Sequence, residues 1–301
     1  MASQRDVKNR ISSVKNIEKI TRAMEMVAAA RLRRAEQRIH ALRPYADAIR
    51  RMTRQAAEAA GGSVPRLPIL MEHDNVSTVA LMLVTADRGL AGAFNSQIIR
   101  AGVRAQEDEK REGLSVAFYA SGRRGVSSLT FRGFDVRESF IGFSERPSYA
   151  NAREIAEKLM AAYVDGDVDR VEIIYNGYIS PLTQKVTRET LLPLQHAAIL
   201  GEDDEDEEEE GEPGHRALVD YEPDPEEILA RLIPDYVEIS VYRALLESTA
   251  SELGARMTAM RNASENAGGI IEDLTLEMNR ARQAEITQEI MEVVAGAEAL
   301  G

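Results

Sequence analysis

Read at every seventh residue from Val7, the chain gives Val7, Val14, Thr21, Ala28, Ala35, Leu42, Ile49 and Ala56, a mostly apolar seam. Ile11, Ile17, Ile20, Met24 and Val27 widen the stripe, and no Gly or Pro interrupts it before Pro44. The pattern predicts one helix of about 55 residues, about 80 Å long at 1.5 Å per residue. Pro44 should kink it and Gly61-Gly62 should end it. A second seam, Ile239, Leu246, Leu253, Met260, Ala267, Leu274 and Ala281, predicts a C-terminal helix that starts near Pro234. Gly254 and Gly268-Gly269 should loosen this helix locally. Two such helices at opposite ends of the chain fit a long antiparallel coiled coil better than a compact bundle, which rarely needs helices this long.

Between the seams the apolar period shortens to two, or to short continuous runs. Residues 76–84, 114–120 and 171–178 read as strands, with 186–192 as a weaker fourth, and helical stretches fall near 95–111 and 149–164. This alternation predicts an α/β domain with a small, mainly parallel sheet and crossover helices. The chain thus divides into an N-terminal helix over 1–60, a central α/β domain over 61–233 and a C-terminal helix over 234–301.

Charge sharpens the picture. The net charge is −13, yet residues 1–60 carry 14 Lys plus Arg against 6 acids, giving +8. Residues 236–301 carry 5 Arg against 11 acids, giving −6, so the two helices have opposite sign and can lie against one another. A basic helix also suits nucleic acid or an anionic membrane, but an apolar seam first needs a protein partner. Residues 202–212 hold ten acids in eleven positions and read as a solvated loop, with an electrostatic brake against a basic surface as the functional alternative. Cysteine is absent, which removes disulfides and thiolate chemistry. No apolar run approaches the roughly 20 residues of a membrane span, and the opening residues lack a signal-peptide stretch, so a soluble, cytoplasmic protein is expected.

Reactive constellations are missing from the pattern. The run T-A-D-R-G-L-A-G-A-F-N, 85–95, is a strand-to-helix turn whose Gly89 and Gly92 do not form a phosphate-binding fingerprint. Asp87 and Arg88 read as a local ion pair. His40, His73, His196 and His215 share no metal-ligand spacing, and no serine stands in a nucleophile motif. No catalytic residue, cofactor or metal is assigned.

The last stretch is more specific. In I-T-Q-E-I-M-E-V-V-A-G-A-E-A, 286–299, Ile286, Ile290, Val293 and Ala297 share an apolar face beside Thr287, Gln288 and Glu289. It matches [IV]-T-x-E-x-x-[DE]-x-x-x-G-A-x-[SAKR], the signature of the gamma subunits of F-type ATP synthases. The chain resembles that family in three further blocks. These are R-I-S-S-V-K-N-I-E-K-I-T-R-A-M-E-M-V-A-A-A-R at 10–31, the run at 85–95, and Y-E-P-D-P at 221–225. Ala91 stands where many relatives have Cys, and 202–212 looks like an insertion.

The resemblance implies a non-catalytic rotor shaft, formed by the terminal helices above an α/β foot. Implied partners are the alpha and beta subunits of the catalytic hexamer, the epsilon subunit and the c-subunit ring, with no nucleic acid and with membrane contact only through the complex. It implies a peripheral location on the cytoplasmic face of the inner membrane, and coupling of proton flow to ATP synthesis or hydrolysis. Met24, Arg256, Arg282, Gln283, Thr287 and Glu289 match coupling positions toward the hexamer, and Tyr221 and Glu222 match positions facing the ring. From the residues alone, the alternatives are a coiled-coil scaffold with an α/β interaction module and an α/β enzyme with helical arms.

Overall fold

In the computed structural model, residues 4–59, 68–194 and 225–298 are described. In chain order the elements are α1 (Gln4–Ala59), β1 (Thr78–Val84), α2 (Phe94–Arg111), β2 (Ser115–Ser121), α3 (Arg123–Phe131), β3 (Val136–Phe140), α4 (Tyr149–Val164), β4 (Arg170–Tyr178), β5 (Gln184–Leu192) and α5 (Pro225–Glu298). The chain forms two compact units, one of Arg31–Ala255 and one of Met1–Ala30 with Arg256–Gly301.

The first unit is built on a five-stranded sheet of order β3-β2-β1-β4-β5. β1 pairs parallel with β2 and with β4, β2 pairs parallel with β3, and β5 closes one edge antiparallel to β4. The mainly parallel sheet matches the expectation. Because β1 is central, its TVALMLV sequence is apolar on both faces. Ala80, Met82 and Val84 join one core with α4, while Val79, Leu81 and Leu83 join a second core with α2 and α3. On α4, Ala152, Ile155, Ala156, Leu159 and Tyr163 form the stripe that meets the sheet, and Ser148 and Asn151 close a capping box at its start. The same face receives Leu229, Ile233, Val237, Val241 and Leu245 of α5, spaced four residues apart.

Both α3 and β3 lie where the sequence reading placed no element. β3 is a five-residue edge strand in which exposed Arg137 and Ser139 alternate with half-buried Val136 and Glu138 and buried Phe140, so it offers no continuous apolar run. α5 begins at Pro225 rather than at Pro234, which is inside the helix. The apolar spacing Leu229, Ile233, Val237 runs straight through that position, and burial there outweighs the missing proline N–H. α1 likewise continues through Pro44, and α5 through Gly254 and Gly268-Gly269, without interruption.

Both units contain antiparallel helix pairing. In the first, Leu32 and Ala35 of α1 pack with Ala250 and Leu253 of α5, and Ile49 packs with Leu232 and Ile239. In the second, Val7 and Ile11 pack with Leu274, Glu18 O accepts from Ser264 Oγ, and Glu25 pairs with Arg261 at 2.8 Å. Every residue of both heptad seams is buried or half-buried. The added stripe is different: Ile11 is buried and Met24 half-buried, but Ile17, Ile20 and Val27 are exposed.

Candidate functional site

The run after β1 turns out to be a joint. Thr85 Oγ1 donates to Ser121 O at 2.7 Å and accepts Gly125 N–H at 2.9 Å, which ties the end of β1 to the start of α3. Gly122 makes this approach possible. It has φ 86°, and a Cβ there would lie 2.2 Å from Thr85 O. Asp87 does not pair with Arg88. Its carboxylate accepts N–H groups from Arg123 (3.1 Å), Gly142 (2.9 Å) and Ser144 (3.2 Å). Partial burial raises the pKa of Asp87, but the donors of Gly142, Ser144 and Arg123 outweigh it and hold the group below its ordinary value. The chain's own carboxylate thus takes the backbone donors that a bound anion would need.

Arg88 instead meets Glu145 at 2.9 Å, and Glu145 also binds Arg31 of α1 at 2.5 Å. Around the same turn, Asn176 Nδ2 of β4 donates to Phe94 O and Ser251 Oγ of α5 donates to Asn176 O, while Thr249 Oγ1 of α5 shares its proton between Ser144 O and Leu245 O of its own helix. The turn therefore fastens the α/β domain to both long helices of this unit. It holds no nucleophile with an adjacent base.

The remaining polar clusters are also structural. Glu109, Arg170, Glu172 and Arg188 close a four-membered ionic ring across α2, β4 and β5, with both carboxylates buried. His73 Nδ1 lies 2.8 Å from Asp169 Oδ1, whose other oxygen accepts Ser77 N–H and Thr78 N–H. The His73 ring stacks on Tyr163, whose hydroxyl donates to Met71 O, and burial pushes its pKa up to about 12. His40 is exposed and far in sequence from these groups, and His196 and His215 lie outside the described residues. Among the described residues no group of His, Asp and Glu is arranged to hold a metal.

The coupling candidates lie in the second unit. Met24 of α1 is half-buried; on α5, Arg282, Gln283, Thr287 and Glu289 are exposed. Thr287 Oγ1 donates to Gln283 O at 2.8 Å, within its own helix. Arg256 of α5, unlike these four, is buried and retains only 8% exposure. Around Thr287 the apolar residues Ile286, Ile290, Met291, Val293 and Val294 all face solvent, as does Met26 on α1. Tyr221, Glu222 and the acidic run 202–212 lie outside the described residues.

The sequence reading missed Glu145 and Asp169, whose partners are 114 and 96 residues away in the chain. The ionic ring left one signal. Glu109 continues the Ile98, Gly102, Ala105 face of α2, where a carboxylate needs a cationic partner.

Comparison with known proteins follows the whole chain. The family profile described as ATP synthase matches residues 3–300. The chain is 45% identical to the ATP synthase gamma chain of Rubrobacter xylanophilus, covering 100% of this chain and 99% of that one. It is 41% identical to the gamma chain of Desulforamulus reducens, covering 100% of both. It is also similar to a chain in the cryo-EM structure of the central stalk and c-ring of the Tetrahymena thermophila mitochondrial ATP synthase. There the identity is 26% and the TM-score 0.59, with 81% of this chain and 99% of that one covered. A chain of the Euglena gracilis mitochondrial ATP synthase shares the fold at 18% identity and TM-score 0.66, covering 99% and 94%.

Proposed function

The chain belongs to the ATP synthase gamma-chain family, and on that premise we propose how its residues serve the rotor. It is the gamma subunit, a non-catalytic central-stalk component of the complex. The observation that carries this assignment is identity sustained over the full chain, rather than any single motif.

Residues 1–60 and 234–301 act as the shaft within the hexamer of alpha and beta subunits, and residues 61–233 act as the foot, beside the epsilon subunit and on the c-subunit ring. The complex sits on the cytoplasmic face of the inner membrane, with this subunit attached peripherally. Proton flow turns the ring and the shaft together, and the unequal faces of the shaft drive the hexamer's nucleotide sites through different conformations. Met24, Arg256, Arg282, Gln283, Thr287 and Glu289 transmit force to the hexamer, and Tyr221 and Glu222 meet the ring. Arg256 does so from a buried position, by setting the helix surface around it.

The exposed apolar residues support this reading. Ile17, Ile20, Met26 and Val27 on α1, and Ile286, Ile290, Met291 and Val293 on α5, leave apolar area in water that a surrounding partner would bury. Thr287 already satisfies its hydroxyl within the helix, so contact there costs little polar desolvation.

Reconstitution tests the reading. The hexamer and membrane sector are assembled with wild-type or Arg282→Glu chain, and ATP hydrolysis and ATP-driven proton pumping are measured in vesicles. The purified chain should not turn over ATP, a complex lacking it should not pump, and Arg282→Glu should lower pumping per ATP. Full pumping without the chain overturns the rotor assignment, whereas normal coupling in Arg282→Glu overturns only that residue's role.

A further inference from the structure

The strand order β3-β2-β1-β4-β5 has its switch point between β1 and β4, where open α/β sheets receive ligands outside the carboxyl ends of their strands. In this chain the place is taken by α5. Leu245, Ser248, Thr249 and Glu252 line one small hollow together with Val84, Thr85 and Ser121 at the ends of β1 and β2. Ser251 Oγ reaches Asn176 O of β4 at 2.9 Å, and Thr249 Oγ1 shares its proton between Ser144 O at 3.0 Å and Leu245 O of its own helix at 2.8 Å. Both side chains are buried.

We propose that Thr249, Ser251 and Gly254 form a register lock, which fixes the axial and rotational setting of α5 on the α/β domain so that torque crosses this joint without slip. The proposal rests on the gamma-subunit reading. The apolar contacts of α5 with the sheet cannot set register alone, because Leu229, Ile233, Val237, Val241 and Leu245 repeat every four residues and a helix shifted by that step presents similar side chains. Polar contacts discriminate. A slide of α5 leaves the buried Asn176 O without its donor and the half-buried Ser144 O without its share of the Thr249 proton. Gly254 adds a steric stop. A Cβ at that position would lie 2.8 Å from Pro181 O, and no other glycine occurs in α5 before Gly268. Any shift therefore drives a side chain into the Pro181 carbonyl. Gly254, expected from sequence to loosen the helix, instead permits a close approach to the β4–β5 turn.

The test uses the assembled complex. Thr249→Val combined with Ser251→Ala removes both donors at nearly constant volume, and Thr249→Ser keeps its donor. The double variant should hydrolyse ATP near the wild-type rate while protons pumped per ATP fall below the wild-type ratio. Thr249→Ser should pump normally. Unchanged pumping in the double variant overturns the lock. So does a parallel fall in hydrolysis and pumping with a reduced yield of complex, which marks a role in folding alone. Failure of the gamma reading is distinct, since the wild-type chain would then be dispensable for pumping.

Discussion

In the unit Arg31–Ala255, the paired helices meet a sheet buried on both faces; Ser251 ties α5 to β4, and Thr249 of α5 and Arg31 of α1 reach Ser144 and Glu145 in the loop before α4. In the unit of Met1–Ala30 and Arg256–Gly301, the described residues are two helices sharing one seam, with large apolar side chains left facing water. The same heptad device thus serves two ends. Where a domain supplies a second layer, the seam is one contact among many and side-chain hydrogen bonds fix its setting. Where it does not, the seam holds the pair together and the outward face is left for another protein.

The largest expected effect breaks the first region. Ile173 is fully buried among α4, α5 and the sheet, so Ile173→Ala should cost about 2–5 kcal/mol, read by denaturant unfolding of the isolated chain. Leu274→Ala, in the two-helix seam, should fall at or below about 2 kcal/mol, because the helices can close over the gap. Equal losses at the two positions would remove the energetic difference between the regions.

Arg256→Glu comes next. Replacing a buried guanidinium by a carboxylate should cost about 3 kcal/mol, the lower range for disrupting a buried charge. Arg282→Glu, on the exposed tip, should stay within about 0.5 kcal/mol. Thermal unfolding of both variants, beside their pumping ratios, separates a coupling defect from a folding defect. A stable Arg256→Glu chain would place this position with the exposed tip after all.

How much of this was legible depends on how far apart the causes lie in the chain. β1, β2 and β4 could be read because central strands of a parallel sheet are apolar on both faces. β3 escaped because an edge strand needs only half that pattern, and α3 because its nine residues span too few turns to establish a period. The helix pair was visible in the heptads, yet its start was misplaced because Pro234 resembled an N-terminal signal while the apolar spacing around it continued. At the candidate site, the 286–299 block was legible as a motif. The burial of Arg256 and the partners of Asp87 were not, since both follow from segments brought together only by folding.

The acid limb of stability sharpens the comparison further. Burial raises the pKa of Asp169, but His73 and the N–H groups of Ser77 and Thr78 outweigh it, so the folded value lies well below the ordinary 3.8. A carboxylate with a lowered folded pKa stabilises fully above its unfolded value, and that contribution is lost as pH falls below about 4 and through the folded value. Asp169→Ala should remove about 2 kcal/mol at neutral pH, as expected for hydrogen bonds to a charged group, and should flatten the acid limb. A wild-type stability curve that is flat below pH 4, or one unchanged by Asp169→Ala, would show that this clamp contributes nothing.

The smallest effect belongs to the second region. Glu25 and Arg261 lie 2.8 Å apart across the helix pair, but half of the Arg261 side chain is open to solvent. Water and counterions screen such a pair, and holding two long side chains in one geometry costs conformational entropy, so its coupling should be about 0.3–0.5 kcal/mol. Glu25→Gln, Arg261→Gln and the double variant, unfolded at low and high salt, isolate that coupling from the packing of the Arg stem. The coupling should shrink as salt rises. A value above about 1.5 kcal/mol, or one indifferent to salt, would mean that the pair is held as tightly as the ring of Glu109, Arg170, Glu172 and Arg188, whose carboxylates are buried. The two-helix region would then carry a polar lock of its own, and the contrast between a seam that holds helices together and hydrogen bonds that fix their setting would fail.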